Sequence, residues 1–199
     1  NAGSLLYGRS EHQAQLARGM DATLLASWSW PNVGLRVGAG AAVADLSWEG
    51  WDGSGTYDYS TGTTATAFSG IVIAYRALRL GPSLALTWEK FSDGLDFLYN
   101  TELRYHALHW GIDSHLVRNP DVTYFDVMSG GFAMKQTIAI ARELWPEATV
   151  RFEATLWIER NARGDDYAIE ADGATTLYEG IAGQEFTAGS VSLMVKIER

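Results

Sequence analysis

The sequence predicts an all-β fold: an antiparallel up-and-down transmembrane β-barrel of about ten strands, formed as one domain over residues 1–199. The first observation behind this prediction is that apolar and polar residues alternate along most of the chain, which is the pattern of a strand. The second is that only four prolines occur, each between two alternating segments. The third is that the apolar side of these segments is almost free of charge over the depth of a bilayer.

Alternation defines the predicted strands one by one. From Val33 to Val43 every odd residue is apolar, and the same holds for the even residues of Val150–Ile158 and the odd residues from Val191 to Ile197. The other strands are predicted over Met20–Trp30, Thr64–Leu80, from Ser83 to Lys90, over Leu108–Leu116 and over Phe132–Leu144. An additional strand is predicted within Ser4–Gln15, because single-chain bacterial barrels usually have an even number of strands. The alternative for this region is a short helix over Ser10–Arg18, with Ser10 as its N-cap.

The prolines predict where the chain turns. Proline cannot serve an interior position of a ladder, so Pro31, Pro82, Pro120 and Pro146 are expected in tight turns at one end of the barrel. At the other end we expect long polar loops over residues 50–62, 92–100 and 161–184, together with one short connection at Ser129–Gly131. Short turns at one end and long loops at the other are typical of outer-membrane barrels.

Composition excludes several classes of function. The chain has no cysteine, so it can form neither a disulfide framework nor a thiolate metal site. Its net charge of −9 and its lack of any Lys/Arg run argue against nucleic acid as a partner. No phosphate-binding loop and no EF-hand pattern occurs, so the sequence predicts no cofactor and no dedicated metal site.

The polar side of the strands is predicted to point inward. It carries charges of both signs, which can pair across a narrow lumen, whereas the apolar side would face lipid. The alternative is a soluble barrel with the opposite arrangement, which would bind an apolar ligand inside. The predicted lumen network consists of Arg36, Arg76, Glu89, His109, Asp113, His115, Lys135, Glu143, Arg151, Glu153 and Glu159.

Three of the four histidines cluster at His106, His109 and His115. On a regular strand His109, Asp113 and His115 share the lumen face, and the last two lie roughly 6–7 Å apart along the strand, close enough to pair. Such a cluster could form an acid–base or metal site with another strand. The simpler interpretation is a polar network without chemistry, and no catalytic residue is assigned on this basis. Ser114 points to the opposite face, which disfavours a local Ser-His pair.

Taken as a whole, the chain resembles the small bacterial outer-membrane β-barrels in its alternating strands, proline-marked turns and polar loops, but no motif of the lipid-modifying enzymes or proteases of that membrane is found. The resemblance implies the outer membrane of a Gram-negative-type bacterium, with the bilayer and lipopolysaccharide as partners. The first functional hypothesis is non-enzymatic: a narrow porin-like channel for a small solute or export substrate, or a scaffold with binding loops. The second is an enzyme with a His/Asp site in the lumen, and the third is the soluble apolar-ligand barrel.

Overall fold

The computed structural model describes residues 5–117, 122–145 and 148–197, except the side chains of residues 5–8 and 161. Nearly all of them lie in one antiparallel sheet, and the only other element of the described residues is a 3-10 turn, Pro31–Val33. No helix in this part of the chain is long and apolar enough to cross a membrane. The strands are β1 Leu5–Trp30, β2 Leu35–Tyr59, β3 Gly62–Ser92, β4 Leu95–His106, β5 Leu108–His115, β6 Val122–Ser129, β7 Gly131–Trp145, β8 Ala148–Glu170 and β9 Thr175–Ile197.

The sheet is an up-and-down meander. Strands β4 and β5 follow one line that is interrupted at Ala107, and β6 and β7 follow another that is interrupted at Gly130. β3 pairs with β4 over Ser83–Ser92 and with β5 over Ile73–Leu80, and β8 pairs with β7, β6 and β9. This confirms the all-β antiparallel prediction, and nine strands agree with the expected number of about ten. Among the described residues no ladder joins the two outer strands, β1 and β9.

The sheet curls tightly enough for distant strands to touch across its concave face, here called the lumen face. Asp21 on β1 accepts a hydrogen bond of 2.6 Å from Arg104 on β4 and one of 3.3 Å from Lys135 on β7. On the other side, Arg79 on β3 donates to Gln184 on β9 at 3.0 Å. Charged side chains that meet across three or four strands require a narrow, filled interior rather than a wide pore.

The convex face carries a belt of exposed apolar side chains, here called the apolar band. Leu24 is 82%, Leu84 58% and Val191 71% exposed, which is the reverse of a soluble core. Outward-facing positions are free of charge over residues 20–30, 35–43, 78–88, 97–105, 132–140, 150–158 and 189–197. Each run is about nine to eleven residues long, the length of a tilted strand that crosses a bilayer. The apolar face therefore points to lipid, as predicted.

The two ends of the sheet differ from the prediction. At the lower end, next to the Pro31–Val33 turn, β3 and β4 are joined by Asp93 and Gly94, both with positive φ. At the upper end β2 and β3 are joined by residues 60–61, and β8 and β9 by residues 171–174. The long loops predicted over residues 50–62, 92–100 and 161–184 are therefore wrong, because these segments continue the strands.

The upper parts of the strands extend far beyond the apolar band. Strand β3 has 31 residues and β2 has 25, whereas the bilayer requires about ten. At about 3.3 Å per residue, the remaining length projects several tens of ångströms above the lipid. Beyond the lipid the convex face carries polar residues such as Arg76 and Asp45 among apolar ones, so the alternation that marks a strand is weakened.

Pro82 does not form a turn, contrary to prediction. It lies inside β3 opposite Ala41 of β2. On its other side the ladder stops at Leu80 and resumes at Ser83, where the neighbouring strand is interrupted at Ala107. Proline, which has no N–H to donate, is tolerated at such an irregularity. Gly81 is required beside it, because a Cβ there would lie 1.8 Å from the backbone oxygen of Tyr105.

Three other predicted elements change. The helix considered over Ser10–Arg18 is absent, and that segment belongs to β1, which runs unbroken through the strand predicted within Ser4–Gln15. The connection predicted at Ser129–Gly131 is a break within the line of β6 and β7 rather than a turn. Pro120 and Pro146 lie outside the described residues.

Candidate functional site

A row of irregularities crosses the sheet at the upper edge of the apolar band. It includes Gly81 and Pro82 on β3, Ala107 between β4 and β5, Gly130 between β6 and β7, and a register shift between Glu159 and Ala162 on β8. Bulges reset the inward–outward phase of a strand and re-aim side chains. His106 and His109 are three residues apart and would face opposite sides of a regular strand. Because of the break at Ala107, both point into the lumen and are buried.

Above the lower mouth, the lowest of three polar layers in the lumen is built around Arg104, which is buried at the level of the apolar band. Its guanidinium donates to both carboxylate oxygens of Glu102, at 2.8 and 3.0 Å, and to Asp21 at 2.6 Å. Thr23 and Ser83 donate to the same Glu102 oxygen, at 2.8 and 2.7 Å. Every charge in this layer is paired and hydrogen-bonded, which is the condition under which buried charges are tolerated.

The middle layer joins four buried side chains at the row of irregularities. Arg79 Nε lies 2.7 Å from Glu159 Oε1, and this carboxylate is approached by His106 Nδ1 at 3.3 Å and His109 Nδ1 at 3.7 Å. The exposed fraction is 1% for Arg79, 0% for His109 and 0% for Glu159. This layer is therefore closed to solvent.

The upper layer lies above the apolar band and is only partly buried. His115 and Asp113, two residues apart on β5, form a pair with 3.2 Å between Nε2 and Oδ2, and each side chain is about a quarter exposed. The His115 ring packs edge-on against Tyr124 at a centroid distance of 5.1 Å. Asp113 Oδ1 is buried without a hydrogen-bond partner among the described residues. The pair has the separation that orients an imidazole through one ring nitrogen.

Two further carboxylates lie beside this pair. Asp126 on β6 and Asp166 on β8 are directly opposite each other in the ladder, and Tyr75 donates to Asp126 at 3.3 Å. Both strands lie above the apolar band at this level, where the convex face carries Arg163 and Asp165. Gly111 makes the space, since a Cβ there would lie 2.3 Å from the Tyr75 hydroxyl and 2.8 Å from Asp126 Oδ2.

The environment of the carboxylate pair favours its protonated form. Burial raises the pKa of Asp126 to about 6, and the charge of Asp166 contributes further. Burial also raises the pKa of Asp166, with an additional contribution from Asp113. Like-charged carboxylates at close range hold on to a proton in the same way. A proton donor and an oriented imidazole are thus neighbours in one partly open site.

The predicted lumen residues separate into groups. His109 and Glu159 belong to the middle layer, Asp113 and His115 to the upper layer, and Lys135 lies near Asp21 in the lowest layer. At the lower mouth Arg36, Glu89 and Arg151 line one cavity, and Arg151 forms an ion pair with Glu153 at 2.8 Å. Glu143 is exposed near the lower end of β7. The prediction brings together residues of three layers and of the lower mouth rather than one network.

Arg76 was predicted in the lumen, but it lies on the convex face. It is half exposed and forms two hydrogen bonds with Asp45, at 2.8 and 2.6 Å, just above the apolar band. Ala77 and Arg79, on the other phase of β3, face inward. The error arises from the turn expected at Pro82. Because β3 continues through Pro82, the odd-numbered residues from Arg79 through Ser83 to Glu89 all face inward, and the even-numbered Arg76 faces outward.

Several residues of these layers were not predicted. They are Asp21, Arg79, Glu102, Arg104, Asp126 and Asp166, whereas His106 was named in the histidine cluster but was not assigned to the lumen. Glu102, Arg104 and His106 face inward because the strand is interrupted at Ala107, and the sequence alone does not reveal that interruption. For Arg79 a clue was available: the even-numbered residues between 79 and 89 are apolar and face outward, so the odd-numbered Arg79 is expected to face inward. Asp126 and Asp166 stand in segments whose outward neighbours are also polar or aromatic, so alternation does not mark them.

Comparison with solved structures shows which known fold the chain is similar to. The outer membrane protease OmpT of Escherichia coli superposes on this chain with a TM-score of 0.75 and 17% sequence identity, over 96% of this chain and 67% of that one. The fold is that of an outer-membrane β-barrel. No protein-family model and no curated protein matches the sequence. At this identity the likeness concerns the fold and leaves the chemistry to be argued from the residues themselves.

Proposed function

We propose that the chain is an outer-membrane hydrolase that cleaves peptide bonds with an activated water at Asp113 and His115. The observation that carries this proposal is the 3.2 Å pair of these two residues, partly open to solvent above the apolar band and next to the carboxylates of Asp126 and Asp166. The similarity of fold to a protein named as an outer membrane protease agrees with it. The enzyme hypothesis thereby replaces the non-enzymatic one as the first candidate.

In this mechanism His115 is the general base. Nε2–H donates to Asp113, and this tautomer leaves Nδ1 to accept the proton of a water molecule. The hydroxide that forms adds to the carbonyl carbon of the peptide bond. Ser114 points to the convex face, so water is the nucleophile and no acyl-enzyme is formed.

The Asp126 and Asp166 pair supplies the acid. A carboxyl group that keeps its proton up to about pH 6 can transfer it to the leaving amine as the C–N bond breaks. The proton taken up by His115 then returns to the carboxylate pair or to solvent, which completes the cycle. His115 accepts a proton and the Asp126–Asp166 pair donates one because the environments of the two groups differ, as in other acid–base pairs.

The charge of the site indicates a basic substrate. Asp113, Asp126 and Asp166 face the same part of the lumen, and the whole chain has a net charge of −9. A negative cleft concentrates cationic ligands and raises their association rate. We therefore propose a Lys/Arg-rich peptide as the substrate class, presented above an outer membrane whose lipid and lipopolysaccharide surround the apolar band.

A channel or a loop scaffold draws less support from the described residues. The Arg104 layer and the Arg79 layer cross the lumen one above the other with buried, paired charges. A solute would have to displace both, which costs several kcal/mol for each charge left unpaired. The turns that are described are too short to form the binding loops of a scaffold.

The hydrolase is tested by refolding the full chain into detergent and measuring cleavage of a fluorogenic Lys/Arg-rich peptide between pH 5 and pH 8. We expect cleavage, with a rate that falls as the pH rises through about 6, because Asp126 loses its proton there. A neutral peptide of equal length serves as the control and should be cleaved more slowly. A folded protein that cleaves neither peptide contradicts the proposal, and a rate that keeps rising above pH 6 contradicts the role of Asp126.

A further inference from the structure

The middle layer contains a set of metal-ligand atoms that the proposed hydrolysis does not use. One side-chain atom from each of His106, His109 and Glu159 lies within 4.8 Å of the others. The shortest separations are 3.3 Å between His106 Nδ1 and Glu159 Oε1 and 3.7 Å between His109 Nδ1 and Glu159 Oε1. The corresponding ligand atoms around a tetrahedral zinc ion, at about 2.0–2.1 Å from the metal, are roughly 3.3 Å apart.

Several of these atoms have few partners. His109 is fully buried, and neither of its ring nitrogens has a well-directed hydrogen bond with another described residue. His106 Nδ1 and Arg79 Nε both approach Glu159 Oε1, whereas Glu159 Oε2 has no hydrogen-bond partner among the described residues. Buried polar atoms are nearly always hydrogen-bonded, and each exception requires an explanation such as an ion. Three buried ligand atoms that converge on one point, with little other hydrogen bonding, have a common explanation in a single cation.

We propose that His106, His109 and Glu159 bind one divalent transition-metal ion, with zinc best suited to two imidazoles and one carboxylate. Two bulge-adjacent histidines from either side of Ala107 and one glutamate beside the register shift of β8 provide three ligands. The fourth position of a tetrahedral ion would take water or a lumen group. This site is separate from Asp113 and His115, and its test does not depend on hydrolysis.

The charges around the middle layer are compatible with a bound cation. Arg79, which lies 2.7 Å from Glu159 Oε1, would remain beside the metal as a partner of the same carboxylate. Its positive charge opposes metal binding, but Asp126, Asp166 and Asp113 line the lumen directly above. These three carboxylates attract a cation and offset that repulsion.

The full chain is refolded in detergent, treated with a chelator and titrated with zinc, and the heat of binding is measured by calorimetry. The absorption spectrum after addition of cobalt is the second readout. We expect one zinc per chain, a rise in thermal stability and the intense visible bands of tetrahedral cobalt. The variants His109→Gln and His106→Gln should each bind about 100-fold more weakly or worse, since even loss of a supporting outer group costs 10–100-fold. Heat-modifiable gel mobility confirms that each variant is folded.

His115→Gln is the matched control, because it removes a lumen histidine from the same strand, one layer above. It should bind zinc as the unmodified chain does. Absence of stoichiometric zinc binding by the folded chain overturns the proposal. Binding that is lost in His115→Gln but kept in His109→Gln also overturns it, because the ion would then occupy the upper layer.

Discussion

Replacing His115 by alanine is expected to lower kcat for peptide hydrolysis by about 10²- to 10⁴-fold, the usual contribution of a general base. The fold should persist, because the His115 ring is a quarter exposed and its ion-pair partner Asp113 remains accessible to water. KM should change little, since the imidazole acts on water rather than on the bound peptide. The measurement is steady-state cleavage of the Lys/Arg-rich peptide by protein that shows heat-modifiable mobility.

Asp113→Asn extends this test to the orienting residue. An amide can present its NH₂ to Nε2 and so favour the wrong tautomer, which should lower kcat by a comparable factor although the shape is preserved. Ser114→Ala is the matched control: it lies between the two residues but points to the convex face, so activity should be retained. Full activity in His115→Ala, or equal losses in all three variants, would contradict the assignment of the base.

Replacing Arg104 by alanine is expected to destabilise the folded barrel by about 3–5 kcal/mol, the cost of breaking a buried charge pair by removing one partner. Arg104 holds Glu102 and Asp21 within the apolar band. Without the guanidinium two carboxylates remain in the interior, where only Thr23, Ser83 and Lys135 can compensate. The measurement is equilibrium urea unfolding in lipid vesicles or detergent, at neutral pH.

Arg142→Ala provides the comparison for Arg104. Arg142 is exposed on the outward phase of β7 at the lower edge of the apolar band. Surface substitutions of this kind usually change stability by less than about 0.5 kcal/mol. If Arg104→Ala were as mild as Arg142→Ala, the buried layer would not be a structural element of the barrel, and the argument that it blocks a channel would fail with it.

The membrane-spanning part of the fold could be predicted from the sequence because lipid and lumen impose opposite chemistry on alternate residues. The runs from Val33 to Val43 and over Val150–Ile158 show this pattern, because every second residue in them is apolar. Above the apolar band both faces meet polar surroundings, so the same strands continue without alternation. That is why residues 50–62 and 161–184 were expected to be loops.

The candidate site was predicted only in part, because its geometry depends on irregularities that alternation cannot locate. Extending one phase along the strand predicts His109, Asp113 and His115 on one face of the sheet. The interruption at Ala107 shifts the phase below it, so His106 and Arg104 also point inward rather than to lipid. Pro82 marked this irregular level, but a proline in a sequence is equally compatible with a turn. The partners from other strands, Asp126 and Asp166, depend on register, which a single strand does not encode.

The most direct test of the whole account is site-specific labelling of the barrel in lipid nanodiscs. The chain has no cysteine, so Leu84→Cys in the apolar band and Thr66→Cys near the upper end each introduce a single thiol. With a membrane-impermeant maleimide, the account predicts rapid reaction at position 66 and protection at position 84 until the protein is denatured. Equal reaction rates at both positions, or a well-folded monomer in buffer without detergent, would contradict a membrane-spanning barrel with its site above the lipid.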